Sequence, residues 1–536
     1  MRILIALLAF TVSATAAEKL EKWIYKSTNL LVEKNVDELA ALLTRGHAAG
    51  YTHMLLADSK FSRLGDLDAR YFKNVERVKQ LAAQSHIEIV PALFSIGYSN
   101  DILSRDVNLV EALPVKNVPL TVKGGTAVVD DQTAPSLPGG AFDDPKKWSF
   151  KDPTVVFENG TARITDAKTN SRIVRKLTLQ PWRQYHVSVW VKTENFRGTP
   201  EIKVLPPGGK PSLTWDHVGA KSTQDWKQHH IVFNSQDNTT ADLYFGAWGG
   251  GAGTLQWRDA KLEEVAFLNM PRRAGCPLAI TSSDGKPLVE GRDFEPLKDA
   301  SLGMTPYAGE FDIWHQPPQL KTKLPDGTKL LASYYHAATI HAGQAMICPS
   351  EPKTMELLRD QAQRMAKLWG AKGYMMSHDE IRVLNQCAAC RARGLTPGQI
   401  IADNVKQCIA ILREVNPGGR IYVWSDMFDP NHNALEKNYY LVNGSLTGSW
   451  EGLDKDVIIL PWYYEKRAES LKFFADRGNK QVIAGYYDSK PGRIKDWLAA
   501  AKGLNSVTGV MFTTWRNKYD DLETFSKAVD SATESR

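Results

Sequence analysis

The stretch "EPKTMELLRDQAQRMAKLWGAKGYMMSHDE", residues 351–380, joins a predicted amphipathic helix over 353–370 to a predicted buried strand over 373–380. The same alternation recurs on both sides of it. Strands are predicted at 23–31, 52–58, 87–94, 420–428, 457–464, 481–488 and 509–515, and helices at 35–49, 69–85 and 397–415. Alternating strands and helices indicate parallel strands with helical crossovers, and near-continuous apolar strands indicate that both faces are covered.

Counting strands favours a closed barrel. With "KLLASYYHA" (329–337) there are nine candidates for the eight places of a (β/α)8 TIM-like barrel, so one is expected to form a hairpin in a loop. The predicted fold class is therefore α/β, a (β/α)8 barrel with an inserted all-β jelly-roll sandwich. A doubly wound open sheet is the structural alternative.

The insertion is predicted over 138–267, where short alternating runs are separated by Gly, Pro, Asn and Asp. This divides the barrel into 17–137 and 268–536 and puts the sandwich after the third strand, on the face where such barrels bind substrate. The segment resembles the jelly-roll carbohydrate-binding modules of secreted glycosidases, whose last strand carries a pattern like Trp257-Arg258-Asp259. The alternative is a structural sandwich whose aromatic residues fill its own core.

The first residues, "MRILIALLAFTVSATAAEKL", predict a cleavable signal peptide over 1–16. We therefore expect a secreted or periplasmic protein, and no second apolar stretch is long enough to predict a membrane span. The 66 basic and 60 acidic residues give a net charge of +6 without basic runs, so nucleic acid is not an implied partner.

Five cysteines are too few for a disulfide scaffold in a chain of this length. His378-x-Glu380 followed by Cys387-x-x-Cys390 is similar to the zinc deaminase signature, but only six residues intervene and no proline precedes Cys387. We therefore expect neither a catalytic metal nor a cofactor. A structural zinc site or a disulfide remains open; the cysteines concerned are Cys276, Cys348, Cys387, Cys390 and Cys408.

Asp379 and Glu380 form an acidic doublet where the strand over 373–380 ends. Two carboxyl groups held close together push their pKa values apart, so one stays protonated as an acid while the other is ionised. Glycoside cleavage needs that division of labour. The alternative is an ordinary solvated strand end.

Aromatic residues next to polar ones follow four further predicted strands: Trp424-Ser-Asp426, Trp462-Tyr463-Tyr464-Glu465, Tyr486-Tyr487-Asp488 and Trp515-Arg516-Asn517. Together they predict a pocket with apolar walls and polar tips. A sugar ring fits such a pocket, because its C–H faces stack on indole while its hydroxyl groups take hydrogen bonds.

In this order and spacing the strands resemble the β-N-acetylhexosaminidases, the family-twenty glycoside hydrolases. "YVWSDM", "IILPWYY", "AGYYD" and "GVMFTTWRN" are similar to that family's successive strands after the Asp-Glu pair. The resemblance implies a retaining mechanism in which the substrate's 2-acetamido oxygen attacks the anomeric carbon. The substrate would be a glycan or glycoconjugate with β-linked N-acetylglucosamine or N-acetylgalactosamine.

The resemblance also implies residue roles. Glu380 would be the general acid, Asp379 would orient the acetamido group, and Tyr486, or in second place Tyr487, would donate a hydrogen bond to its oxygen. The implied substrate-binding residues are His378, Trp424, Asp426, Trp462, Tyr487, Asp488, Trp515 and Asn517.

Two departures from the family pattern keep other functions open. The first strand lacks the arginine that usually holds the outer hydroxyl groups of the sugar, and Asn517 stands where a glutamate is expected. A glycan-binding barrel without catalysis is one alternative. Another is a glycosidase of a different family, with Asp426 or Glu465 as a carboxylate nucleophile.

Overall fold

The computed structural model describes residues 20–130, 135–209, 211–341 and 343–534. The predicted signal peptide, residues 1–16, lies outside these ranges. Within them, every helix is too short or too polar to cross a membrane.

Eight parallel strands form a closed barrel, in which each strand pairs with the next along the chain and the eighth pairs with the first. The predicted closed parallel barrel is thus confirmed, and the open doubly wound sheet is excluded. In order, the barrel strands are Glu21–Ser27, His53–Ala57, Glu88–Leu93, Gly373–Met376, Arg420–Trp424, Ile458–Leu460, Gln481–Ala484 and Val507–Phe512.

Nine α-helices of the described residues lie between or after these strands: Glu33–Ala48, Ala69–Gln84, Asn100–Leu103, Pro352–Trp369, Ala388–Arg391, Pro397–Val415, Arg467–Asp476, Ile494–Ala500 and Leu522–Thr533. Their ends follow from local chemistry. Thr396 and Gln399 form a capping box in front of one helix, and Gly370 ends another in the left-handed conformation. The connection between the fifth and sixth strands, which the structure describes throughout, contains short 3-10 turns instead of an α-helix.

Both faces of the barrel strands are buried, because successive side chains on a strand point to opposite sides. Trp23, Met375 and Tyr422 pack inside the barrel. Ile24 and Val423, their immediate neighbours in sequence, pack outside against the helices. This two-sided burial explains why the strands are almost continuously apolar.

Two five-stranded sheets form a β-sandwich between the third and fourth barrel strands. Val189 and Trp257 from one sheet share a core with Ile202 and Phe245 from the other. Its strands are Phe150–Lys151, Val155–Glu158, Thr161–Ala167, Ser171–Thr178, Gln184–Glu194, Pro200–Leu205, Thr214–His217, Gln224–Asn234, Thr240–Ala247 and Gly251–Val265.

A further six-stranded sheet, which the sequence did not predict, lies between the barrel and the sandwich in the chain. It consists of Ala112–Lys123, Thr126–Val129, Ala279–Ser282, Pro287–Leu288, Leu320–Lys321 and Lys329–Ala337. The ninth candidate strand, Lys329–Ala337, belongs to this sheet, where it pairs with Ala112–Lys123 and Ala279–Ser282. One candidate thus lies outside the barrel, as expected, but in a larger sheet instead of a loop hairpin. Barrel structure therefore resumes only near residue 352 instead of 268. The half-exposed pattern of Lys329–Ala337 is typical of an antiparallel strand with one solvated face.

This sheet also contacts the sandwich. The Tyr334 hydroxyl donates a hydrogen bond to Gln184 Oε1 at 3.0 Å, and Asn234 Nδ2 donates to the carbonyl of Pro114 at 3.0 Å. Because all four residues are buried or nearly so, these contacts join the two parts through desolvated hydrogen bonds.

Candidate active site

A cavity of about 600 Å³ opens at the carboxyl ends of the barrel strands. The ends of all eight strands contribute to it, as expected for this face of a parallel barrel. From the strand ends, the lining residues include Tyr25, Ser27, Leu55, Ala57, Asp58, Ala92, Leu93, Ser95, Ser377, Asp379, Glu380, Trp424, Trp462, Tyr487 and Trp515.

Aromatic rings form one wall of the cavity. Trp462 and Tyr487 stack with their ring centroids 5.2 Å apart, and Trp515 lies 4.9 Å from Tyr25 and 5.7 Å from Trp424. Trp515 is 42% exposed and Tyr487 is 41% exposed, unusually open for such large side chains. The predicted tryptophans Trp424, Trp462 and Trp515 thus meet in one wall, where they can stack on an apolar face of a ligand.

Glu380 lines the cavity and is held by two partners. Arg382 Nη2 lies 2.7 Å from Glu380 Oε1, and the Tyr98 hydroxyl donates a hydrogen bond to Glu380 Oε2 at 2.6 Å. Arg382 also donates to the Tyr98 hydroxyl at 3.0 Å. The ion pair and the hydrogen bond therefore hold the carboxyl group of Glu380 in a fixed orientation.

Asp379 lines the same cavity without such support. Within the described parts of the chain, its carboxyl group forms no ion pair. Burial, followed by the negative charge of Glu380, raises the pKa of Asp379 to about 7. The doublet therefore combines one ion-paired carboxyl group, Glu380, with one carboxyl group whose pKa is raised by burial, Asp379.

Asp426 lies beneath the doublet and is fully buried. It accepts hydrogen bonds from the backbone N–H of Glu380 at 2.8 Å and from Trp462 Nε1 at 3.4 Å. Burial and the charge of Asp379 raise the pKa of Asp426 well above its ordinary value. Asp426 does not line the cavity, so its expected contact with substrate is corrected to a supporting position that fixes Glu380 and Trp462.

The hydrogen bond to Asp426 accompanies a strained backbone. Glu380 has a φ of +50°, in the left-handed region that L-residues seldom adopt, and Tyr487 across the cavity also has a φ of +50°. Such residues cost about 1–3 kcal/mol each and cluster at functional sites. The strain turns both side chains toward the cavity.

Three predicted binding residues lie elsewhere. His378 is fully buried, Nε2 lies 3.0 Å from Asn404 Oδ1, and burial lowers its pKa to about 4. Asp488 accepts a hydrogen bond from the backbone N–H of Trp515 at 2.7 Å and so holds the loop after the eighth strand. Asn517 lines a separate depression outside the cavity. These positions correct the expectation that all three contact substrate.

Tyr486 is the fifth correction. Its ring stacks on Phe512 at 4.0 Å and its hydroxyl donates to Asp521 Oδ2 at 2.9 Å, on the helix-covered side of the barrel. Because neighbouring residues point to opposite sides, Tyr487 occupies the cavity instead. The sequence placed two tyrosines side by side and could not show which one faces inward.

Sequence reasoning missed several residues that surround the doublet. Arg382 was only two positions from Glu380, which was a usable signal, whereas Tyr98 comes from the loop after the third strand. Gln344 Nε2 donates to the carbonyls of Gly97 at 2.9 Å and Glu380 at 3.1 Å. Gln344 belongs to the segment that returns from the inserted sheets, and no local pattern marked it.

Gly97 contacts the backbone of the doublet directly. A Cβ atom at this position would lie 1.7 Å from the carbonyl oxygen of Asp379. Any side chain would therefore push apart the loops after the third and fourth barrel strands. Glycine at this position allows Tyr98 to reach Glu380.

The opposite end of the cavity is polar. Asp101 accepts hydrogen bonds from the hydroxyls of Ser95 and Ser62, each at 2.6 Å. Asp58 lies nearby in the lining, and burial raises the pKa of both Asp58 and Asp101. These oxygen atoms offer hydrogen-bonding positions that the sequence analysis did not single out.

The tryptophans of the sandwich whose side chains the structure describes divide into two groups. Trp148 and Trp257 are buried in the core, as the structural alternative expects. Others are covered by cationic side chains: Arg258 lies 4.2 Å from the ring centroid of Trp226, and Lys203 lies 3.7 Å from that of Trp248. Glycan binding by the sandwich stays a prediction.

The residues that could hold a metal ion lie outside this cavity. In the described ranges, one group of buried ligand atoms converges: Glu111, Cys348, Cys387 and Cys390. Among the residues that the structure describes, the carboxyl groups of the cavity do not form such a group.

Comparison with known proteins gives only distant similarities. Neither the protein-family models nor the curated proteins give a significant match. Among solved structures, the chain is similar to an N-acetyl-β-hexosaminidase of Streptomyces plicatus at 10% identity and a TM-score of 0.37, over 96% of this chain and 63% of that one. A rhamnosidase of Novosphingobium sp. PP1Y matches at 12% identity and a TM-score of 0.34, over 97% and 59%.

A family-four carbohydrate-binding module matches at 17% identity and a TM-score of 0.21, over 24% of this chain and 99% of that one. The chain thus spans less than two thirds of the length of the two enzymes, and all three TM-scores are low. Glycosidases and carbohydrate-binding modules are among its structural neighbours, and the similarity is too distant to assign an activity to this chain.

Proposed function

We propose that this chain is an exported glycoside hydrolase that cleaves β-linked N-acetylhexosaminides by a retaining, substrate-assisted mechanism. One observation carries the proposal. Two adjacent carboxyl groups, Asp379 with a pKa raised to about 7 and Glu380 in an ion pair, lie in a cavity walled by Trp424, Trp462 and Trp515. A proton source beside an anion is what acetal cleavage requires.

The cavity suits a sugar ring in size and chemistry. Its volume of about 600 Å³ lies within the usual range of roughly 300–1,000 Å³ for small-molecule sites. The open faces of Trp515 and Tyr487 can stack on the C–H face of the ring. Asp58 and Asp101 at the polar end can accept hydrogen bonds from its hydroxyl groups.

The proposed reaction begins when the sugar's amide N–H donates a hydrogen bond to Asp379. That bond favours the ionised form of Asp379, so the proton shared by the doublet passes to Glu380. Glu380 then protonates the leaving oxygen while the acetamido oxygen forms a bond to the anomeric carbon. The C–O bond to the leaving group breaks, and Asp379 stabilises the positive charge of the oxazolinium. Water activated by Glu380 opens this ring and returns the proton to the doublet.

Tyr487 is the proposed hydrogen-bond donor to the acetamido oxygen, since Tyr486 does not reach the cavity. The nucleophile alternative receives no support from the geometry. Asp426 is fully buried below the cavity, and Glu465 is exposed outside the cavity lining.

The first experiment is hydrolysis of aryl β-N-acetylhexosaminides by the full chain. Glu380→Gln and Asp379→Asn should each lower kcat/KM by about 10²-fold or more, the range of acid–base groups. Glu465→Gln is the matched control, because this exposed acid follows the sixth strand outside the cavity.

Leaving-group dependence separates the two roles. With a strongly acidic phenol, which departs without protonation, Glu380→Gln should recover much of its activity, whereas Asp379→Asn should stay impaired. A thiazoline mimic of the oxazolinium should inhibit the unsubstituted enzyme. Recovery by Asp379→Asn instead would reverse the assignment, and no turnover of any aryl substrate would refute the proposed activity.

A glycan-binding protein without catalysis is the second candidate. The contacts of Glu380 favour it, since both oxygens of this carboxyl group already have partners, Arg382 and Tyr98. Binding of N-acetylglucosamine oligomers, measured by calorimetry, without hydrolysis over days would support this function.

A further inference from the structure

A group of buried thiols lies apart from the cavity and plays no part in the proposed reaction. Cys348 Sγ lies 3.5 Å from both Cys387 Sγ and Cys390 Sγ. A carboxylate oxygen of Glu111 completes a set of four ligand atoms that all lie within 4.8 Å of one another. All four residues are buried.

The spacing of these atoms fits a tetrahedral zinc ion. A Zn–S bond of about 2.3 Å places two thiolates of a tetrahedral site about 3.8 Å apart. The observed 3.5 Å between sulfur atoms is close to that spacing and far longer than the roughly 2.05 Å of a disulfide bond. Three sulfur atoms and one oxygen atom around one point are a donor set that zinc accepts.

Two neighbours bear on the charge of this group. The thiol of Cys276 is also buried and interacts with that of Cys387, so it is a candidate for a further ligand. The guanidinium of Arg273, 7% exposed, is ion-paired with Glu351 and does not neutralise the group. A dication would offset two of the four negative charges that the ligands carry when ionised.

The ligands come from distant parts of the chain. Glu111 precedes the strand Ala112–Lys123, Cys348 precedes the helix Pro352–Trp369, and Cys387-x-x-Cys390 follows the acidic doublet. Glu111 Oε1 accepts hydrogen bonds from the backbone N–H groups of Gln386 at 2.8 Å and Cys387 at 3.0 Å. A metal ion at their meeting point would therefore fix the loop that presents Arg382 to Glu380.

We propose that the protein binds one structural zinc ion through the thiolates of Cys348, Cys387 and Cys390, with a fourth ligand from Glu111 or Cys276. The ion stabilises the fold because its ligands converge only in the folded chain. The site is closed, with no position for substrate, and the zinc proposal stands whether or not the chain is a hydrolase.

The test begins with the unsubstituted full-length chain, purified without chelator. Mass spectrometry of metals should find about one zinc per chain, and X-ray absorption should give Zn–S distances of about 2.3 Å. Replacement by Co²⁺ should produce the intense near-ultraviolet absorption of thiolate-to-cobalt charge transfer. Removal of zinc by a chelator should lower the Tm.

Substitutions locate the ligands. Cys348→Ser and Cys387→Ser should each abolish stoichiometric zinc binding. Cys408→Ser is the matched control, because this buried thiol lies in the helix Pro397–Val415, next to Asn404, and should retain full zinc content. At least one of Glu111→Gln and Cys276→Ser should also weaken binding; unchanged affinity in both would contradict a four-coordinate site.

Counting free thiols uses the unsubstituted protein, so its result does not depend on whether the cysteine variants fold. Alkylation of the chelated, denatured and unreduced chain should modify all five cysteines. A disulfide between any two of Cys276, Cys348, Cys387 and Cys390, or iron in place of zinc, would overturn the proposal. So would metal-free protein whose thiols are fully reduced and which gains no zinc on addition of Zn²⁺.

Discussion

The substitution Asp379→Asn should change how the stability of the protein depends on pH. An unfolded aspartate titrates near 3.8, whereas burial in the folded protein raises the pKa of Asp379 to about 7. Between these values the folded protein keeps a proton that the unfolded chain has released. The contribution of Asp379 to the free energy of unfolding therefore decreases as the pH rises through this window.

The magnitude follows from the size of the shift. One pKa unit corresponds to about 1.4 kcal/mol of stability, so a shift of about three units changes the free energy of unfolding by at most about 4 kcal/mol. About 3 kcal/mol of this change falls between about pH 5 and about pH 8. Asparagine has no proton to lose. Relative to the unsubstituted protein, Asp379→Asn should therefore become more stable by up to about 3 kcal/mol between these two pH values.

Guanidinium unfolding monitored by tryptophan fluorescence measures this difference. Both proteins are compared in the same transition at each pH, because a chain with several cores need not unfold in one step. Asp237→Asn, at an exposed acid of the sandwich, is the control and should give no pH-dependent difference. The proposed protonation of Asp379 would be refuted if Asp379→Asn and the unsubstituted protein differed in free energy of unfolding by the same amount at the lower and the higher pH.

Three other predictions concern the cavity. Tyr98→Phe removes the hydroxyl that bonds to Glu380 and should lower kcat/KM about 10-fold, because a hydrogen bond to a charged group contributes about 1.5–3 kcal/mol; steady-state kinetics measure this. Trp515→Ala should raise KM for aryl N-acetylhexosaminides about 10-fold through lost stacking, with kcat much less affected. Tyr486→Phe should leave kcat/KM unchanged but lower the Tm by a few degrees, because it removes a hydrogen bond of about 1 kcal/mol to Asp521. Tyr487→Phe, by contrast, should lower kcat/KM. Equal losses of activity in the two tyrosine variants would contradict the assigned placement.

The sequence predicted the barrel well because its strands carry a strong two-sided apolar signal. The predicted helix over 397–415 coincides with Pro397–Val415, since Thr396, Pro397 and Gln399 mark its start chemically. The six-stranded sheet was predicted only in part: Lys329–Ala337 was predicted as a strand, whereas Pro287–Leu288 and Leu320–Lys321, with two residues each, were missed. Such short strands are defined by their partners instead of by a local pattern.

For the candidate site, the sequence identified which strand ends carry functional groups. It did not show which side chains at those ends point into the cavity. Asp379, Glu380 and Trp515 line the cavity as expected. His378 and Tyr486 do not, because each is the immediate neighbour of a cavity residue, Asp379 or Tyr487, and neighbouring side chains point to opposite sides. Long-range partners carry no sequence signal, and Tyr98, which bonds to Glu380 across 282 positions, is the clearest example.

The close approach of Gly97 to Asp379 limits how this protein can change over time. Gly97 is not among the residues that line the cavity, yet even alanine there would force its loop away from the backbone that holds the acids. Libraries that randomise the visible cavity wall should therefore tolerate many replacements, whereas a library at position 97 should return a single residue. The most restrictive position in the site is then one that chemical labelling and ligand soaking would never reveal.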